Sequence, residues 1–361
     1  MKIYRVLPLL LLFGLIVAPS AAFAAASDAA LLWWMRVTPS LLPYLIAASL
    51  LERSGFLQRL SGRYAPLLLL PLGAVGGYPV GARLSGQLLR DGSLTLSEAR
   101  KVAARINLPN PVFLISVVSA GFFRDIRTAY PLLIGIYGAA LLGLIPLSRV
   151  RMQKAAVASE SAPAVDLPDA IGDGVHAILH IGGCIVFASV LGALIDATGL
   201  FRLFGAGAPA ARAITTGLFE MTSGTSLIAA LPFSLSLRLA ICACLLSFGG
   251  ISVLLQSASA LPLSVPKYLL VRAGLGVASG AITYLLTPVF CPDTAVPTLA
   301  NSSAMLQNTV NLTSVVLACA FGLLLVFVFS FGLKARKRRP KAPDTVFVML
   351  RRPRKSAQGS L

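Results

Sequence analysis

The chain has 361 residues, of which 57% are hydrophobic and 12% are charged, and its mean hydropathy is +0.83. Soluble domains carry roughly twice that share of charged residues, which excludes an ordinary soluble protein. At least seven apolar runs reach or approach the roughly 20 residues that cross a hydrocarbon core. The sequence therefore predicts an all-α polytopic protein of the cell membrane.

The formal net charge of +18 raises the alternative of a nucleic-acid-binding protein, but the positions of the charges argue against it. Ten of the 31 Lys and Arg residues follow the last apolar run, within 334–341 and 351–355, and no aromatic residues interleave with them. Most others lie in short loops beside apolar segments, as the positive-inside rule requires. We expect no nucleic-acid partner. Residues 334–361 should form a cytoplasmic tail on anionic lipid headgroups, worth about 1 kcal/mol per basic residue.

The first 28 residues allow two interpretations. A basic start, an apolar centre and an Ala-rich end are the parts of a cleavable signal peptide, and they fit a retained first transmembrane segment equally well. Both interpretations leave Ser27 and Asp28 outside the cell, so the topology of the following segments is unaffected.

The apolar run 65–89 contains four helix-weakening residues within six positions: Gly76, Gly77, Pro79 and Gly81. Basic loops at 52–63 and 90–105 flank this run, which places both of its ends in the cytoplasm. Irregular backbone at membrane depth survives only inside protein or beside a wet cavity. We expect a re-entrant hairpin in which glycine permits the reversal and Pro79 ends a half-helix. Tyr78 between them either stacks on a ring-shaped solute or packs.

The run 106–123 also opens on a break, Asn107-Leu-Pro-Asn110-Pro111. Each proline disfavours helical geometry at the residue before it. The amides of Asn107 and Asn110 would then lie beside freed backbone groups, where they can bind a polar solute.

The second half repeats the first in outline. The run 182–204 resembles 39–60, the segment 217–230 occupies the place of 76–89, and 247–259 occupies the place of 107–119. The breaks are 31 residues apart in one half (Gly76 to Asn107) and 29 in the other (Glu220 to Gly249). Broken helices at matched positions of inverted repeats are typical of a midplane site in transporters.

We therefore expect two inverted repeats with re-entrant or broken helices. The first occupies 29–150, a linker occupies 151–170, and the second, with a final transmembrane helix at about 302–333, occupies 171–333. The two short loops and the hairpin of the first half hold eight basic residues, and the matching part of the second half holds three. This asymmetry places 90–105 in the cytoplasm and 205–211 outside.

The segments 76–92 and 98–115, together with FEMTSG at 219–224 and LLSFGGISVLLQSAS at 245–259, resemble the sporulation integral membrane protein family of the YlbJ type. The resemblance covers roughly residues 30–290. It implies a nucleoside-recognition Gate domain, shared with nucleoside transporters and the ferrous iron permease, and a role in endospore formation without a known substrate. One departure is Asn110-Pro111, where the family pattern has Gly-Pro.

Glu220 lies in an otherwise uncharged apolar segment, where an ionised carboxylate costs several kcal/mol unless it is paired or hydrated. It either contacts a coupling ion or solute, with Thr222 and Ser223 as neighbouring hydroxyls, or caps a half-helix that begins at Thr222–Gly224. Gln256 shares a helix face with Ser252 and either lines a pathway or joins helices. The segment from Ser247 to Gly250 can present carbonyls to a cation, or Gly249 and Gly250 permit close packing.

Other chemistries have less support. His176 and His180, with Asp173 one turn earlier, have the spacing of a metal site, but they lie at the entry of a span where polar residues are ordinary. The five cysteines lack metal-ligand spacing. Because no nucleophile with a partnered base, nucleotide loop or paired carboxylates occur, neither an enzyme nor a cofactor is predicted.

The sequence thus predicts a permease or channel for a small polar solute, with a possible coupling ion and possible self-association. The alternative is a non-transporting membrane component that uses the same fold for assembly during spore cortex formation. A divalent cation channel ranks third.

Overall fold

The computed structural model describes residues 7–62, 65–145, 147, 150, 152–153 and 166–292. The α-helices are α1 Leu7–Val17, α2 Pro19–Leu32, α3 Thr38–Arg53, α4 Phe56–Arg59, α5 Ala65–Gly76, α6 Val80–Arg90, α7 Leu96–Ile106, α8 Ala129–Gly143, α9 Leu167–Ala197, α10 Ala208–Phe219, α11 Met221–Ala229, α12 Leu235–Phe248, α13 Gly250–Ala260 and α14 Val265–Phe290. Two π-helical segments, Trp33–Val37 and Phe113–Phe123, and two 3₁₀ segments, Ile126–Thr128 and Leu200–Gly207, complete them. The described residues form no strand, so the all-α prediction is confirmed for them.

Four helical segments of the described part are long and apolar enough to cross a membrane: Ile126–Gly143, Leu167–Ala197, Leu235–Ala260 and Val265–Phe290. A fifth arises if α1 and the continuous run Pro19–Arg53, which meet at 101°, form one broken span. The number is lower than the seven apolar runs of the sequence because Leu67–Gly76 and Phe113–Phe123 are too short by themselves. The predicted final helix at 302–333 and the basic tail lie outside the described residues.

The long helical run α2–α3 packs against α9, and the two run antiparallel. Trp33 contacts Gly182, while Arg53 at the end of α3 donates to Asp173 near the start of α9, at 2.7 Å. The later residue of α2–α3 contacts the earlier residue of α9, so the two helices run in opposite directions. The C-terminal end of α3 and the N-terminal end of α9 consequently lie at the same side of the protein.

Helices α8 and α14 form a second antiparallel pair. The rings of Tyr130 and Phe290 stack with their centroids 5.6 Å apart, at the start of α8 and the end of α14. At the opposite end, Gly143 lies against Leu275. Both antiparallel pairs join a helix of the first half of the chain to a helix of the second half.

The corners that follow α3 and α9 have the same local geometry. Ser54 and Thr198 each donate a hydroxyl hydrogen bond to the carbonyl oxygen three residues earlier, at 2.8 and 2.6 Å. Gly55 and Gly199 follow with φ of 71° and 73°, a left-handed conformation that glycine adopts without steric cost. The two corners therefore share one local geometry, while the outline repeat of the two halves stays a prediction.

Two details differ from the expectations. Helix α5 ends at Gly76, and Pro79 is the N-cap of α6, so Pro79 precedes a half-helix rather than ending one. Ser27 and Asp28 lie within α2, and their expected position outside the cell stays a prediction. Helix α9 begins at Leu167, inside the stretch assigned to the linker.

Candidate functional site

The first break lies between α5 and α6. Gly77 has φ of 72°, and a Cβ there would lie 2.9 Å from the Cβ of Asn110, so only glycine lets the two breaks of the first half approach this closely. Tyr78 is 3% exposed, and its hydroxyl donates to the carbonyl of Leu246 at 2.8 Å. The first break is thereby tied to α12 in the second half of the chain.

The second break runs from Asn107 to Pro111, between α7 and the π-helical segment Phe113–Phe123. The Oδ1 atom of Asn110 accepts the N–H of Val112 at 2.7 Å and so caps this segment, while its Nδ2 donates to the carbonyl of Val75. One side chain thus pairs the carbonyl group of Val75 and the N–H group of Val112. Irregular backbone inside a membrane protein needs such partners for its polar groups.

The third break is at Glu220, between α10 and α11. Its carboxylate accepts the N–H of Thr222 at 3.0 Å and of Ser223 at 2.6 Å, and the residue is 1% exposed. Negative charge is favoured at a helix N-terminus. The structure therefore places Glu220 as the N-cap of α11, one of the two roles considered above, and no basic side chain of the described residues forms an ion pair with it.

The fourth break separates α12 from α13. Gly249 and Gly250 have φ of 88° and 71°. A Cβ on Gly250 would lie 2.8 Å from the carbonyl oxygen of Leu218, so glycine permits the fourth break to pack on the third.

The breaks converge on one buried cavity. Its wall is formed by Val37, Leu41, Tyr78, Pro109, Asn110, Phe113, Ile181, Ile185, Glu220, Met221, Thr222, Ser252, Val253 and Gln256. About 20 Å³ of it is open to the centre of a water molecule, which is room for one water or a small ion. Polar groups from both halves therefore face one small space.

Gln256 lines the cavity with one hydrogen-bonding atom paired and the other unpaired within the described residues. It is 2% exposed, and its Nε2 donates to Ser252 Oγ at 3.1 Å. Its Oε1 is buried and has no hydrogen-bond partner among the residues that the structure describes, which leaves an acceptor that a ligand or water can satisfy.

Six of the residues predicted for the pathway line the cavity: Tyr78, Asn110, Glu220, Thr222, Ser252 and Gln256. The structure does not bring the others into its wall: Gly76, Gly77, Pro79, Gly81, Asn107, Pro111, Ser223, Gly224, Ser247, Gly249 and Gly250. Most of these shape the backbone at the breaks. Asn107 instead donates from Nδ2 to Ser257 at 2.8 Å and to Tyr268 at 3.1 Å.

Arg272 on α14 was missed by the sequence analysis, and it joins three of the breaks. It is fully buried. Its guanidinium donates to the carbonyl of Asn107 at 2.7 Å, to that of Phe248 at 3.3 Å, and to the hydroxyl of Tyr78. These two carbonyls lie at the C-terminal ends of α7 and α12, where the helix dipole favours a cation. A signal was present in the sequence, since an arginine inside an apolar run is expensive unless it has such partners.

The His176 and His180 spacing does not gather a ligand set in the structure. Asp173 bonds to Ser49 and Arg53, and no group of three or more His, Cys, Asp or Glu side chains suited to a metal occurs among the described residues.

A comparison with known proteins adds a relative. The sporulation integral membrane protein YlbJ of Bacillus subtilis (strain 168) is 27% identical over 290 residues, which are 67% of this chain and 71% of that protein. The chain is an integral membrane protein similar to YlbJ. No family model matches it, and no solved structure does, so the Gate domain suggested by the resemblance remains an expectation.

Proposed function

We propose that this chain is a multi-pass membrane protein of endospore formation that carries a small polar solute, as a permease or channel, through a site at its broken helices. The similarity to YlbJ supports the sporulation role. The observation that carries the transport role is the convergence of Tyr78, Asn110, Glu220 and Gln256 on one cavity.

We further propose that the two halves are inverted repeats. The antiparallel pairing of α3 with α9 and of α8 with α14 supports this architecture, because a two-fold axis in the membrane plane makes equivalent helices antiparallel. Glu220 would face the membrane midplane in this arrangement. A carboxylate there is costly and is therefore typical of a solute or coupling-ion pathway.

The alternative is a non-transporting role in assembly. Two observations favour it: both carboxylate oxygens of Glu220 are satisfied by backbone N–H groups, and the cavity admits about one water. In a transporter, the same cavity would have to widen by movement of one half against the other. The two proposals differ in whether a solute binds.

Thermal unfolding of the purified protein tests for solute binding. A solute that binds only the folded state raises Tm by mass action, with about 2.7 kcal/mol of stabilisation at 100 times its Kd. The panel would contain nucleosides, sugars, amino acids, and monovalent and divalent ions. We expect one class to raise the Tm of the wild type and to have no effect on Glu220→Gln.

Glu98→Gln is the matched control. Glu98 also accepts backbone N–H at a helix start, through the capping box with Thr95, but it lines no part of the cavity. Its solute-induced shift should equal that of the wild type. If no solute shifts Tm while all three proteins are folded, the assembly role is favoured instead.

Complementation tests the sporulation role separately. Expression of the chain in Bacillus subtilis lacking YlbJ should restore spore yield, and Glu220→Gln should restore less than Glu98→Gln. Full rescue by both variants would support a role in sporulation that does not depend on the cavity.

A further inference from the structure

A second pocket, of about 460 Å³, lies between α7 and the start of α14, apart from the central cavity. Of the residues that the structure describes, four basic side chains line it, Arg100, Lys101, Arg105 and Lys267, and no acidic residue does. None of the four forms an ion pair with a carboxylate among the described residues. Uncompensated positive charge concentrated in one pocket attracts an anion.

The two arginines are held in place by the backbone. Arg100 Nε donates to the carbonyl of Pro262 at 2.6 Å, and Arg105 Nε donates to that of Gly143 at 2.8 Å. These bonds fix the guanidinium groups at the wall of the pocket. An anion entering it would meet two positioned guanidinium groups and two ammonium groups.

The same pocket opens onto an apolar surface of α14. Its lining includes Leu270, which is 75% exposed. Further exposed apolar residues follow at helical spacing, Val277 at 68%, Leu285 at 72% and Val289 at 70%. Residues spaced by seven, eight and four positions lie on one helix face. In an integral membrane protein such an exposed apolar face contacts lipid chains.

We infer that this pocket binds the phosphate headgroup of an anionic phospholipid, whose acyl chains lie along Leu270, Val277 and Leu285. The positive charge of the pocket favours an anionic headgroup. The apolar face beside it favours a ligand with acyl chains over a soluble phosphate. Basic pockets between helices near a membrane surface bind such headgroups in other membrane proteins. With four cations, the pocket has enough charge for a lipid with two phosphates.

Native mass spectrometry of the full chain in mild detergent tests the inference with four probes: phosphatidylglycerol, cardiolipin, phosphatidylcholine and inorganic phosphate. We expect both anionic lipids to be retained and phosphatidylcholine to be lost. The double variant Lys101→Gln/Lys267→Gln should weaken binding roughly 25-fold, from about 1 kcal/mol for each basic residue.

The control is Arg59→Gln/Arg202→Gln, which removes two exposed arginines outside the pocket. All proteins keep the basic residues of 334–355, so any lipid held there contributes equally. Equal retention of phosphatidylcholine, or equal losses in the two double variants, would overturn the lipid site. Displacement of the anionic lipids by inorganic phosphate at comparable concentration would also overturn it, because the ligand would then be a soluble phosphate.

Discussion

At the scale of single residues, Arg272 connects parts of the chain that no local signal joins. Its donors reach the ends of α7 and α12 and the hydroxyl of Tyr78. The sequence marks Arg272 as an arginine within an apolar run, which indicates that it has buried partners but does not identify them. Its partners are 24 to 194 residues away along the chain, so its burial depends on tertiary packing and not on any short pattern.

Arg272→Lys should lower Tm and destabilise the fold by about 2–4 kcal/mol, because one ammonium cannot reach three acceptors, and each charged hydrogen bond contributes about 1.5–3 kcal/mol. Chemical or thermal unfolding in detergent would measure it. The control is Arg212→Lys. Arg212 pairs with Asp196 at 2.8 Å, and its side chain is 58% exposed, so this substitution should lower the free energy of unfolding by less than about 1 kcal/mol. Equal effects would contradict the role assigned to Arg272.

Gln256→Met should separate ligand binding from stability. The substitution preserves approximate volume, and it removes both the Oε1 acceptor, which has no partner among the described residues, and the hydrogen bond from Nε2 to Ser252. The two losses oppose each other, so the stability of the ligand-free protein should stay within about 1 kcal/mol of the wild type. The solute-induced Tm shift should disappear. A large loss of stability without solute would show that Gln256 serves packing. Asn107→Leu should behave in the opposite way and lower the stability of the ligand-free protein, because it removes the two hydrogen bonds that Nδ2 donates to Ser257 and Tyr268.

At the scale of elements, glycine and proline positions predict the breaks well. Gly76 and Gly77, Asn107 to Pro111, and Gly249 with Gly250 each interrupt a helix where the sequence indicates. The break at Glu220 has no such breaker, and it depends instead on the carboxylate that caps α11. The ends of the half-helices are less predictable, as Pro79 illustrates, because a proline is compatible with either side of a break.

The crossing of α10 and α11 depends on Gly224. A Cβ at Gly224 would lie 2.1 Å from the Cα of Gly217, so Gly224→Ala must push the two half-helices apart. We expect a loss of about 1–3 kcal/mol from such overpacking, measured as a lower Tm. Gly274→Ala on α14 meets no atom of the described part of the chain within 4 Å and should be neutral or slightly stabilising. A tolerated Gly224→Ala would contradict this packing.

At the scale of the whole molecule, the order and spacing of broken segments predict the order of elements in both halves. The identity of the cavity wall is not predictable in the same way. Val37 and Leu41, and Ile181 and Ile185, line it from the long helices, yet they are apolar residues within apolar runs. Only the antiparallel packing of those helices brings them to the breaks, and that packing rests on contacts between distant segments.

The proposed inverted arrangement predicts the topology. A single cysteine at the exposed Ser97, in a background whose five cysteines are replaced by alanine, should react with a membrane-impermeant thiol reagent only from the cytoplasmic side. A cysteine at the exposed Ala206 should react only from outside, because three crossings of the first half would turn the second half over. Labelling in intact cells and in inverted vesicles measures both. Reaction of both positions from one side would exclude inverted halves.

If the four breaks enclose a solute site that water reaches when the halves move, a thiol at position 252 should become accessible to a water-soluble reagent. Ser252 lines the cavity, whereas Ser279, equally buried, binds Ser247 in the packing of α12 on α14. In the cysteine-free background, Ser252→Cys should react slowly but completely with a small water-soluble thiol reagent, and a bound solute should protect it, while Ser279→Cys should stay unreactive. Equal unreactivity of both cysteines would contradict a transport pathway at the breaks.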